Sequence, residues 1–96
     1  MPFVKRGDLI VGGSDTAVVL EVHTSQEPHM SSQLVLDGNP VECTAHYVAS
    51  LLLEGEPCRY KFEVRFWWES RGCRVEGVTL RRVGTHDPWS PVQILR

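Results

Sequence analysis

The sequence predicts an α+β domain: a curved antiparallel sheet of about five strands with one helix near residues 40–54. Three observations carry this. A double glycine at 12–13 is followed by a β-branched run. Residues 39–57 bear helix start and stop signals around an apolar stripe. Residues 58–70 alternate apolar and polar side chains with the period of a strand.

In chain order, "GDLIVGG" (7–13) reads as a strand closed by a turn, and "TAVVLEVHT" (16–24) as its hairpin partner through "GGSD". "SQEPHMSS" (25–32) is polar, holds a proline and reads as a loop; "QLVLDG" (33–38) reads as a short strand ending in a turn. In "NPVECTAHYVASLLLEGEP" (39–57), Asn39 suits an N-cap, Pro40 the first helical position and Glu42 a capping box. Val41, Ala45, Val48 and Leu52 recur at helical spacing, Leu51 widens the stripe, and Gly55 and Pro57 stop it. In "CRYKFEVRFWWES" (58–70), Tyr60, Phe62, Val64, Phe66 and Trp68 share a core face. Arg59, Lys61, Glu63, Arg65, Trp67 and Glu69 share the opposite one. "SRG" turns the chain into "CRVEGVTLRRV" (73–83), in one of two registers. A two-residue loop at Arg71-Gly72 pairs Glu69 with Arg74, and a three-residue loop pairs Trp67 with Val75. "GTHDPWSP" (84–91) reads as a loop and "VQILR" (92–96) as a last strand.

The opening "FVKRGDLIVGG...AVVLEV...LVLDG" resembles the first half of an SH3-like barrel of the KOW kind, with "GD" before the first strand and "DG" after the third. The resemblance spans residues 3–38 and implies a half-barrel that binds protein or nucleic acid.

The 96 residues fit one domain, 1–96, with apolar content for a single modest core. No apolar run approaches the ~18 residues a membrane-spanning helix needs. The start "MPFVKRGD" lacks an apolar h-region, so a cytoplasmic protein with no membrane partner is expected. Three cysteines, an odd number, fit free thiols better than a disulfide framework. Residues 1–57 set eight acidic side chains against Lys5 and Arg6, whereas residues 58–96 set eight basic ones against four acidic. The halves can attract each other, or the second can offer a basic face.

Motifs for catalysis are missing. There is no G-x-S-x-G, P-loop, dinucleotide fingerprint or H-E-x-x-H. His23 and His29 flank one loop, His86 and Asp87 sit in another, and nothing in the spacing brings them or Glu21, Glu42 and Glu63 together. A non-enzymatic protein without cofactor is expected. Cys43 and His46, three apart on the predicted helix, could join Cys58 and Cys73 in a tetrahedral zinc set. Structural zinc ligands come in close pairs, however, and Cys58 and Cys73 stand alone.

Trp67 is the informative residue. Neighbouring tryptophans on a strand point to opposite faces, so with Trp68 in the core Trp67 stands among charges. Either the loop 84–91 or another element covers it, or it anchors an interface, with Arg65, Lys61 and Arg59 as binding neighbours. A protein-interaction module, most simply a homodimer built on the face of strand 59–69, is the leading expectation. Single-stranded nucleic acid bound by the same cations and indole is the alternative, opposed by Glu63, Glu69 and Glu76 and by a pI near 6.0. A second alternative is a small ligand held between helix and sheet by Tyr47, Tyr60, Trp68 and Trp89.

Overall fold

The computed structural model describes residues 3–28, 39–69 and 72–96. Six strands make up its regular structure: β1 (Leu9–Gly12), β2 (Asp15–Gln26), β3 (Val41–Leu53), β4 (Glu56–Glu69), β5 (Gly72–Arg82) and β6 (Ser90–Leu95). Each pairs antiparallel with the next, and β6 returns to β1, pairing Leu9 with Leu95 and Ile10 with Ile94. The result is a closed six-stranded barrel.

The expected α+β class is therefore wrong. No helix occurs among the described residues, and the segment assigned to a helix at 40–54 is the strand β3. Its odd positions, Cys43, Ala45, Tyr47, Ala49 and Leu51, are buried in strict alternation, with Val41 and Leu53 extending the row at either end. Period two places them all on one face. Glu42 and His46 are exposed on the other. Glu54 and Gly55 do not end a helix. They form a two-residue hairpin loop, with Leu53 paired to Glu56 and φ of 53° and 82°. Positive φ at both loop residues matches a type I′ turn, whose twist suits antiparallel strands.

The half-barrel expectation is corrected in the same way. The barrel closes on six strands, and its third strand is residues 41–53. The strand read at 33–38, with its "DG", lies outside the described residues, as do residues 29–32 of the loop read at 25–32, His29 among them; Ser25 and Gln26 of that loop belong instead to β2. The hairpin through Gly13-Ser14, the strand at 58–70 and the last strand near 92–96 stand where the sequence places them.

The core is the row Phe62, Val64, Phe66 from β4 against Tyr47, Ala45 and Ala49 from β3, Val19 and Ala17 from β2, Ile10 from β1 and Val78 from β5. Burying each large side chain among these stabilises the fold by about 1.5–3 kcal/mol. Val4, 1 % exposed, packs from the N-terminal segment, and Phe3 lies 4.7 Å from Phe66 between ring centroids. On β2 the register shifts between Val19 and Glu21 and again between Val22 and Thr24. The β2 residues paired with Leu51, Ala49 and Tyr47 are therefore Val19, Val22 and Ser25, three residues apart instead of two.

β3 and β4 pair along their whole length, from Leu53–Glu56 to Val41–Trp68, while β1 and β6 are short. The molecule is elongated, 48 × 24 × 22 Å. Toward the tip of the β4–β5 hairpin, β5 pairs only with β4 among the described residues: its contacts with β6 are confined to Val78, Thr79 and Leu80. Gly72–Gly77 therefore forms an open sheet edge.

Candidate functional site

The outer face of β4 answers the question set by the two tryptophans. Trp68 faces inward and packs against the core. Trp67 faces outward in a cross-strand row with Glu42 of β3 and Arg74 of β5. The hairpin register is neither of the two expected ones. Glu69 pairs with Gly72 and Trp67 with Arg74, and an extra residue, Glu76, bulges between the pairs Phe66–Val75 and Arg65–Gly77.

That register builds a compact group at the hairpin end. Arg74 Nε lies 3.0 Å from Glu69 Oε1 and donates a hydrogen bond to it. The Arg74 guanidinium carbon stands 6.0 Å from the Trp67 ring centroid. One cation thus engages an acid and an indole face, an arrangement worth about 0.5–1 kcal/mol at an exposed site. Trp67 is half-buried, and the loop 84–91 does not cover it: Trp89 of that loop stacks instead on Arg81, 4.8 Å from the guanidinium carbon.

The other expected binding residues share the face but spread along it. Arg65 is exposed beside Gly77, where an added Cβ would lie 3.2 Å from an Arg65 terminal nitrogen, so glycine leaves room for the guanidinium. Lys61 is paired with Val48 and Arg81, and Arg59 with Ser50, at the far end of the strand. Glu63 stands between Lys61 and Arg65. Lys61, Glu63, Arg81, Trp89 and His46 line a shallow 360 Å³ groove there. Arg81 Nε is buried in this region without a hydrogen-bond partner among the described residues.

The candidate zinc ligands do not converge. On a strand, Cys43 and His46 project to opposite faces. Cys43 is buried, His46 exposed, and Cys58 lies opposite Leu51 at the other end of the sheet. Among the described residues no group of three or more potential ligands forms. Cys73 is close enough to Cys43 to matter electrostatically: burial first, then Cys73 and Glu42, push the Cys43 thiol above its ordinary value. Tyr47, Tyr60, Trp68 and Trp89 do not line one cavity. Tyr47 and Trp89 both border the 360 Å³ groove, Tyr60 lines a separate pocket with Leu51 and Leu80, Trp68 lines neither, and no helix occurs among the described residues to form a helix–sheet gap.

The open edge of β5 escaped sequence reading. Beside it runs a cleft of about 520 Å³ between β5 and β6, lined by Phe3, Val75, Val78, Val92, Ile94 and Leu95 among others. Val75 and Leu95, each 48 % exposed, are the two most exposed large apolar side chains among the described residues, and both flank this cleft. The described residues form a small closed β-barrel with Trp67, Arg65 and Arg74 gathered toward the end of the β4–β5 hairpin. No family model, curated protein or solved structure matches the chain.

Proposed function

We propose that the protein is a non-enzymatic interaction module that self-associates through the end of its β4–β5 hairpin. The observation that supports this most directly is the clustering there of half-buried Trp67, exposed Arg65 and Arg74, and an open strand edge. Tryptophan and arginine are the side chains most enriched in interface anchors. An unpaired strand edge offers a row of backbone donors and acceptors to a partner. Lys61 and Arg59, further down β4, would lie at the rim of such a contact.

Sedimentation over a concentration series tests the reading. The wild-type chain should exceed its 10.9 kDa monomer mass as concentration rises, and Trp67→Ala should shift association to higher concentration without loss of folding. A chain that remains monomeric throughout refutes it.

Two cation–π pairs on one outer face, Arg74 with Trp67 and Arg81 with Trp89, favour a second reading, single-stranded nucleic acid stacked on the indoles. Glu63, Glu69 and Glu76 interrupt that face, which ranks it below self-association. Oligonucleotide binding that falls steeply with salt would establish it, and no binding at low salt would end it.

A further inference from the structure

The self-association reading leaves open how two copies would meet. Four observations converge on β5. Residues Gly72–Gly77 pair with β4 on one side and with nothing described on the other. Gly72 through Glu76 are all exposed. The side chain at the middle of this stretch, Val75, is apolar and 48 % exposed. Arg74 and Glu76, of opposite charge, flank it symmetrically.

We propose that two copies of this chain pair antiparallel through the open edge of β5, about a twofold axis at Val75. The inference rests on the self-association reading and specifies its geometry. A twofold axis normal to an antiparallel pair relates a residue to its own copy, so the register is fixed by the residue on the axis. With Val75 on the axis, Val75 faces Val75 of the second copy, and Arg74 of each copy faces Glu76 of the other. Both charge pairs are then satisfied at once. Moving the axis by one residue to Arg74 sets Arg74 against its own copy, and moving it to Glu76 sets the two acids face to face. Like charges directly opposed across strands destabilise, whereas opposite charges and apolar pairs stabilise. Charge therefore selects Val75 as the axis over either neighbour.

Arg74 can serve both contacts. Its Nε is held by Glu69 of its own chain, and a guanidinium has further N–H donors on its terminal nitrogens. The bulge at Glu76 and the divergence of β5 from β6 confine the pairing to a short stretch. A contact this small falls below the ~1,200 Å² of a standard stable interface, so association should be weak and depend on concentration.

Sedimentation of charge variants of the full chain, together with site-directed cross-linking, tests the pairing. Arg74→Glu and Glu76→Arg should each weaken association by about tenfold or more, since each sets like charges opposite one another twice. The double variant should recover association. It cannot recover the Glu69 contact within one chain, so rescue reports the pairing between copies. In a Cys58→Ser, Cys73→Ser background, Val75→Cys should be joined to its own copy in high yield by a short bis-maleimide, and Thr79→Cys should not. Circular dichroism confirms that every variant is folded. A wild-type dimer with no rescue in the double variant, or with no cross-link at Val75, overturns this register while self-association stands. A wild-type chain that stays monomeric overturns both.

Discussion

Trp67 and Trp68 are adjacent in sequence, and their substitution should separate two kinds of effect. Trp68 packs against the core, so Trp68→Ala should cost about 2 kcal/mol or more in chemical denaturation. Trp67 meets Arg74 on the outer face, so Trp67→Ala should cost only about 1 kcal/mol of stability and act mainly on association. Tyr47 is a polar tip on a buried ring. Its hydroxyl donates to Glu27 Oε1 at 2.6 Å and accepts from the Phe3 N–H at 3.0 Å. Tyr47→Phe removes the phenol and strands the Phe3 donor, which should cost about 1–3 kcal/mol. Burial, and then the hydrogen bond to Glu27, push this phenol well above the usual tyrosine range. The folded chain then keeps the proton where the unfolded chain loses it. Stability should thus hold below pH about 10, where an unfolded phenol is neutral, and decline above it. Denaturation midpoints of wild type and Tyr47→Phe across that range check the sign: the variant should decline less. Thiol labelling reads a second shift. Cys43, buried and raised, should react with iodoacetamide after exposed Cys73.

At the scale of the element, β4 was legible because its two faces differ in chemistry as well as period: aromatic and β-branched residues on one, charges on the other. β3 carries the same period, Val41, Cys43, Ala45, Tyr47, Ala49, Leu51 and Leu53, yet its local signals point to a helix. Two of those residues are alanines, and the local signals of Asn39, Pro40 and Glu42 match a helix start. Tertiary pairing with β2 and β4 on both sides outweighs those preferences, which are worth only tenths of a kcal/mol per residue. The small residues have a packing reason: Ala45 and Ala49, both fully buried, flank the Tyr47 ring in the inward row. Ala45→Leu should therefore overpack the barrel and cost about 1–3 kcal/mol by denaturation, where a solvent-facing helical alanine would tolerate the change. Registers were less legible than strands. Bulges at Glu76 and within 19–24 insert single residues that no local pattern announces. The open edge of β5 was illegible for another reason: it exists because β6 is short and diverges, a relation between elements far apart in the chain.

For the whole molecule, the ends of the chain hold the barrel together. Asp8, 5 % exposed, accepts the Lys5 N–H at 2.9 Å and meets Arg96 Nε at 3.4 Å, while Arg96 also donates to the Phe3 carbonyl at 2.6 Å. An ion pair with one buried partner is worth more than a surface pair, because the buried Asp8 carboxylate is desolvated and depends on the partners it has. Asp8→Ala should cost about 2 kcal/mol, and Arg96→Ala somewhat less because its head is half-exposed; thermal melts of the two variants would rank them.

The seam between β1 and β6 also constrains how the protein is made. β6 is the last of the described strands in chain order, so the barrel cannot seal until residues 90–95 have left the ribosome. The long β3–β4 hairpin, joined by a two-residue loop, can zip early, whereas Leu9 must wait for Leu95. During that interval the interior rows remain accessible to other chains and to chaperones.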